Sequence, residues 1–272
     1  MDDSLAMHTA ARRYCMMRHE YWSERYSEIE RRCEGRALDG YQYSSIALDT
    51  FPRYNVTNAI LVEVERIDTD ALIGVERMIS LLLSAGETAQ DAFTEPPQGD
   101  IESRAMNQER KAYAEFVRAF QPSDFTELES LPYRRVLTPV ESQAIWSALR
   151  DRWKIPAEYW YPLADCPLPD VVAFRSVPFH EAVGAGDLRT ILRLRGIERI
   201  WVLREHGPEY SQDTAALEPH YNGAEGYWTS DGMDWILYAS HEGSITAGGW
   251  LAEEVKAMWP AWREHFWTGI RD

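Results

Sequence analysis

The spacing of apolar residues changes period once along this 272-residue chain, and that change dictates which folds are open to it. Before residue 121 the period is helical. Tyr14, Met17, Tyr21, Trp22, Tyr26, Ile29 and Cys33 recur at steps of three and four, which places them on one helix face. The same steps recur in Leu72, Val75, Met78, Ile79, Leu82 and Leu83, and again in Tyr113, Phe116, Val117 and Phe120. Ile60, Leu61, Val64 and Ile67 fit a helix too, although Val62 and Val64 alternate with Glu63 and Glu65 as in a strand. Gly35 and Gly40 are expected to end the first helix, and a loop is expected through Asp49, Pro52 and Asn55. Gly86 is the expected stop of the Leu72 helix, followed by a loop over residues 87–102 that holds Pro96, Pro97 and Gly99.

Beyond the polar stretch 121–132, short β-rich runs separated by turn residues replace that pattern. Strands are expected at 133–137, 171–174 and 200–203. Thr138-Pro139-Val140-Glu141 is a capping box with Pro at the first helical position, and the helix it opens turns Ile145, Trp146, Leu149 and Trp153 inward. Asp187 is expected to cap a short helix that ends at Gly196. The last third reads as a meander: 227–229, the turn Ser230-Asp231-Gly232, 235–239, the turn His241-Glu242-Gly243, then 244–247. A helix through Leu251, Val255 and Met258 closes it. These patterns predict an α+β chain, with a helical region over 1–125 and a Trp-rich domain over 131–272 built on an antiparallel meander flanked by helices. Tryptophan follows the same divide: Trp22 precedes the boundary and the other ten follow it.

Charge narrows the partners. The formal net charge is −16, divided as −10 over residues 1–130 and −6 over 131–272. Such a field repels nucleic acid and anionic lipid and favours a basic protein, while also serving solubility. No apolar run approaches the ~20 residues needed to span a bilayer. The N-terminal residues lack a basic-then-apolar export pattern, and Cys15, Cys33 and Cys166 lack paired spacing, so free thiols in the cytoplasm are expected.

Catalytic motifs are sparse. His19-Glu20, His180-Glu181 and His241-Glu242 each lack a second His four residues on, which a zinc-binding helix requires. No phosphate-cradling glycine loop, nucleophile elbow or paired-Cys site is present, so neither metal nor cofactor is expected. Asp231, Asp234, Ser240, His241 and Glu242 fall in or beside two hairpin turns, and His241 with Glu242 form the catalytic candidates. Asp231 and His241 stand at opposite ends of one strand, roughly 20 Å apart at ~3.3 Å per residue, which separates them chemically. Cys166 with His180 as base is a further pair, read against a buried inert thiol. Tyr159-Trp160-Tyr161 places alternate rings outward, where they could meet a cationic side chain. Glu63, Glu65, Asp68 and Asp70 crowd one stretch. On a helix Glu63 and Asp70 share one face and Glu65 and Asp68 another, suited to an electropositive partner or to plain solvation.

The order strand-turn-strand-turn-strand-helix in GYWTSDGMDWILYASHEGSITAGGWLAEEVKAMWPAW resembles that of SMI1/KNR4-type immunity proteins of bacterial toxin systems, and the segment is also similar to uncharacterised bacterial proteins. The resemblance implies a cytoplasmic inhibitor that binds a toxin directly without catalysis. The expected function is thus neutralisation of a basic toxin domain through acidic residues, with Glu63, Glu65, Asp68, Asp70, Asp231 and Asp234 as the binding set. The alternatives are an enzyme acting on a small molecule or peptide through His241 and Glu242, and a structural adaptor.

Overall fold

The computed structural model describes residues 2–33, 43–71, 74–91, 93–94, 99–121, 128–156 and 159–269. The class is α+β, and the chain divides into two compact units, Met1–Leu131 and Pro132–Asp272. No helix among the described residues is long and apolar enough to cross a membrane.

The first unit is built from α1 (Asp3–Cys33), α2 (Ser45–Val64), α3 (Val75–Thr88) and α4 (Asp100–Ala119). Met7, Ala11 and Cys15 of α1 pack with Val56, Ile60 and Val64 of α2, Met78 and Leu82 of α3, and Tyr113 and Val117 of α4. Ser44 opens α2 by accepting a hydrogen bond from the Ala47 amide at 3.2 Å. The loop expected through Asp49, Pro52 and Asn55 is therefore the interior of α2. Proline there costs ~3 kcal/mol and one backbone bond, and burial of Pro52, Val56 and Ile60 against α1 and α4 outweighs it. The strand alternative at Val62 and Val64 is also overturned, since both lie in α2.

Gly86 does not end its helix but lies inside α3. A Cβ on it would approach Tyr113 Cδ1 of α4 to 2.7 Å, so the missing side chain lets the two helices meet. The loop expected over 87–102 gives way to α4 at Asp100. Gly35, Gly40, Leu72, Pro96 and Pro97 lie outside the described residues.

Charged groups knit this core. Glu109 of α4 is buried and pairs with Arg18 of α1 at 2.7 Å and Arg53 of α2 at 3.0 Å. Arg53 also reaches Gln108 at 2.6 Å and lies 4.8 Å from the Trp22 ring centroid. Removing one member would strand the others' charge in a dry setting, so these pairs fix the register of α1, α2 and α4.

The second unit carries a seven-stranded antiparallel sheet in the order β1-β4-β3-β5-β6-β7-β2. Its strands are β1 (Arg134–Val136), β2 (Val171–Arg175), β3 (Arg199–Arg204), β4 (Tyr210–Asp213), β5 (Gly226–Thr229), β6 (Trp235–Ala239) and β7 (Ser244–Gly249). The helices are α5 (Pro139–Trp153), α6 (Ser176–Ala182), α7 (Ala185–Leu194) and α8 (Trp250–Met258). One sheet face, through Leu203, Tyr227, Ile236 and Tyr238, packs on Ile145, Leu149 and Trp153 of α5 and on Trp160. On the other face Phe174 meets Phe179 of α6, at 5.8 Å between ring centroids, and Trp259 after α8, at 5.5 Å.

The capping box at Thr138 is present in full, and Arg135 of β1 clamps its Glu141 at 2.6 Å, holding that carboxyl down at about 2. Asp187 stands at the third position of α7 rather than before it, where its carboxylate accepts the Gly184 amide at 3.2 Å. Gly196, at φ +74°, follows α7 in the left-handed conformation that suits glycine.

Candidate functional site

The turn joining β6 to β7 gathers several polar side chains of the second unit. Gly243, at φ +75°, lets the chain reverse, and Ser240 and Ser244 pair their hydroxyls at 2.7 Å across its neck. His241 and Glu242 ride on this turn. Glu225, just ahead of β5, has a fully buried side chain whose Oε1 accepts the His241 amide at 3.0 Å and also meets Nδ1 of the same imidazole. The outer nitrogen, Nε2, lies 3.1 Å from Glu242 Oε1. Tyr159 and Tyr221 flank the ring, with centroids 5.7 and 6.4 Å away. Beneath them Tyr238 packs on Tyr227 with centroids 4.6 Å apart and the rings tilted by 32°; burial, then the neighbouring Tyr227 phenol and Glu225 carboxylate, raise the Tyr238 pKa and keep that phenol neutral.

A buried carboxylate on Nδ1 fixes the ring's orientation and tautomer, as it does for acid–base histidines, and turns Nε2 toward Glu242. In the protonated form both nitrogens donate to carboxylates. The structure thus brings His241 and Glu242 together and adds Glu225 and the two tyrosines, which sequence reasoning missed. Glu225 offered no signal: a lone Glu after Gly223-Ala224 reads as a surface residue, and only the pairing of β5 with β6 buries it.

Asp231 and Asp234 lie at the opposite end of β6, in the exposed turn after β5. Asp231 accepts the Trp201 indole N–H at 2.7 Å, and the Asp234 carbonyl would meet a Cβ on Gly249 at 2.1 Å. They lie at the opposite end of the strands from His241. Cys166 and His180 form no reactive pair: burial raises the Cys166 thiol and lowers His180, both against an activated thiolate–imidazolium couple. In the aromatic run, Trp160 is buried and donates to the Trp153 carbonyl at 3.1 Å, while Tyr159 is exposed.

In the first unit the acidic stretch divides. Helix α2 stops at Val64, so the expected sharing of helix faces by Glu63 with Asp70 and Glu65 with Asp68 does not arise. Glu65 turns inward, 1% exposed, and pairs with Arg12 of α1 at 3.0 Å. It is withdrawn from any docking surface. Glu63 and Asp68 instead border an open groove of about 360 Å³, lined also by Arg66, by Ile67, Ala71, Leu81 and Ala85, and by Ser84 and Thr88. Glu63 holds Arg66 at 2.8 Å, and Asp70 follows in the turn, its amide bonded to Asp68 Oδ1 at 3.0 Å. The groove combines an apolar floor with a border of Asp68 and the Glu63–Arg66 pair, acidic by one charge on balance. No protein-family model, no curated protein and no solved structure matches the chain.

Proposed function

We propose that the chain is a protein-binding inhibitor that seats a basic, apolar-tipped segment of its target in the groove between α2 and α3. The observation that carries this reading is the border of Glu63 and Asp68 around the apolar floor of Ile67, Ala71, Leu81 and Ala85. A net charge of −16 adds long-range attraction for a positive target and speeds encounter. The likeness in element order to SMI1/KNR4-type immunity proteins agrees with it and names the kind of target, a basic toxin domain blocked by steric and electrostatic occlusion.

The test is capture from the native cell lysate at moderate salt, using the wild type beside Leu81→Arg and Asp68→Lys. Recovery of one basic protein in stoichiometric amount, its loss with both variants, and inhibition of its activity by the wild type alone are the expected results. Retention of the same protein by Leu81→Arg overturns the groove, and recovery of nothing overturns the inhibitor. Charge steering further requires an association rate that falls steeply as salt rises.

The geometry at His241 favours a second reading, acid–base chemistry on a small molecule or peptide. The buried Glu225 carboxylate on Nδ1 supports it. A ligand found by thermal-shift screening would be turned over by the wild type and not by His241→Ala/Glu242→Ala. Equal turnover by that double variant removes the idea.

A further inference from the structure

One sheet face in the second unit carries a small cavity, of about 120 Å³, that neither reading above uses. It forms where the register sets Arg204 of β3 beside Gly226 of β5. Glycine is required at that point: a Cβ on Gly226 would come within 2.5 Å of Trp228 Cη2, because the Trp228 indole lies over it. The depression so made is lined by Arg134 of β1, Arg204, His220 and Asn222. Arg134 stacks on the Tyr210 ring at 3.8 Å, which holds its guanidinium in place.

In the same unit Arg135, Arg152, Arg189, Arg195 and Arg199 each lie within 4.0 Å of a carboxylate. Among the described residues Arg204 forms no such pair, and its guanidinium gives a single hydrogen bond, from Nη2 to Asn222 Oδ1 at 2.6 Å. Among the described residues of this unit Arg150, Arg193 and Arg263 also lack a carboxylate partner, but they are exposed, whereas Arg204 is half-buried. Burial disfavours its charge, as does the field of Arg134, while Tyr210 and Tyr221 partly offset both. The carboxylate that also lines the cavity, Glu218, is engaged with Arg189 at 3.4 Å. The His220 imidazole makes no hydrogen bond among the described residues and faces the same space. The Arg204 guanidinium has lost part of its hydration in this cavity, and an anion seated against it offsets that cost.

We propose that this cavity binds a tetrahedral oxyanion, a phosphate group, with Arg204 as the principal contact and Arg134, Asn222 and His220 around it. A space of a few water volumes admits a phosphate head and excludes a nucleotide base. Planar guanidinium forks match the oxygens of phosphate two at a time. The acidic field of the whole chain opposes anions, so the affinity is moderate and falls as salt rises.

The test is titration of the full chain at constant ionic strength with three probes: inorganic phosphate, phenyl phosphate and acetate. Binding is read by calorimetry, and Tm by thermal shift. Saturating phosphate is expected to raise Tm by about 3 °C, with acetate at least about tenfold weaker. Tighter binding of phenyl phosphate assigns the site to phosphate esters, and tighter binding of inorganic phosphate to the free ion. Arg204→Met is expected to abolish the response. Asn222→Asp supplies an internal carboxylate to Arg204 from an exposed position, so it removes binding while leaving the fold intact. Equal responses in the wild type and Asn222→Asp, acetate binding as well as phosphate, or no response to either phosphate probe overturns the proposal.

Discussion

His8 is 3% exposed on α1, with Nε2 3.0 Å from the Val64 carbonyl at the end of α2. Burial, only partly offset by that hydrogen bond, pulls its pKa down from 6.5 to about 4. Between those values the unfolded chain holds a proton that the folded chain excludes. Stability is therefore full above about pH 6.5, falls as pH drops toward about 4, and loses about 3 kcal/mol from this residue. Urea midpoints measured from pH 7 to 4 should decline in the wild type, and His8→Gln, which can still donate to Val64, should decline less. The residue also shows a limit of reading side chains in order. Histidines that precede a Glu stand out in sequence, whereas His8 and Glu225 owe their character to strands and helices many residues away. By contrast, the His241-Glu242 pair was legible, because both sit on one tight turn.

At the scale of elements, α3 and α4 depend on Gly86. Gly→Ala within a helix ordinarily gains up to about 1 kcal/mol. Here the new methyl would meet the Tyr113 ring at 2.7 Å, and overpacking costs about 1–3 kcal/mol. Gly86→Ala is thus expected to lower Tm, and the double change Gly86→Ala/Tyr113→Leu to recover part of the loss; a rise in Tm for the single variant would contradict the close approach. Gly86 was misread as a helix stop because a glycine that ends a helix and one that admits a neighbour look alike in sequence. Pro52 misled for the same reason, its local cost being overridden by burial. Signals that are complete within a few residues did survive, among them the Thr138 capping box, the meander β5–β6–β7, and the strands at Arg134, Val171 and Arg199. Strand β4, Tyr-Ser-Gln-Asp, went unread: its polar residues are buried only because β1 and β3 bracket it.

At the scale of the whole molecule, the sheet's two outer strands come from the earliest part of the second unit, while β5–β6–β7 form a meander and the chain passes over β3 between β4 and β5. The β1 edge is three residues long and begins with two arginines, a poor template for further pairing. The β2 edge is longer and apolar. There the chain beyond α8 returns: Phe266 bridges Phe174, and the Trp267 amide bonds the Ala173 carbonyl at 3.1 Å. Those two residues act as a plug against runaway stacking. A chain ending at Trp259 should keep its far-UV spectrum yet scatter light increasingly with concentration, as exposed β2 edges zip together between molecules. The cover that Phe266 and Trp267 give to β2 is thereby expected to set how far the protein can be concentrated before its molecules associate.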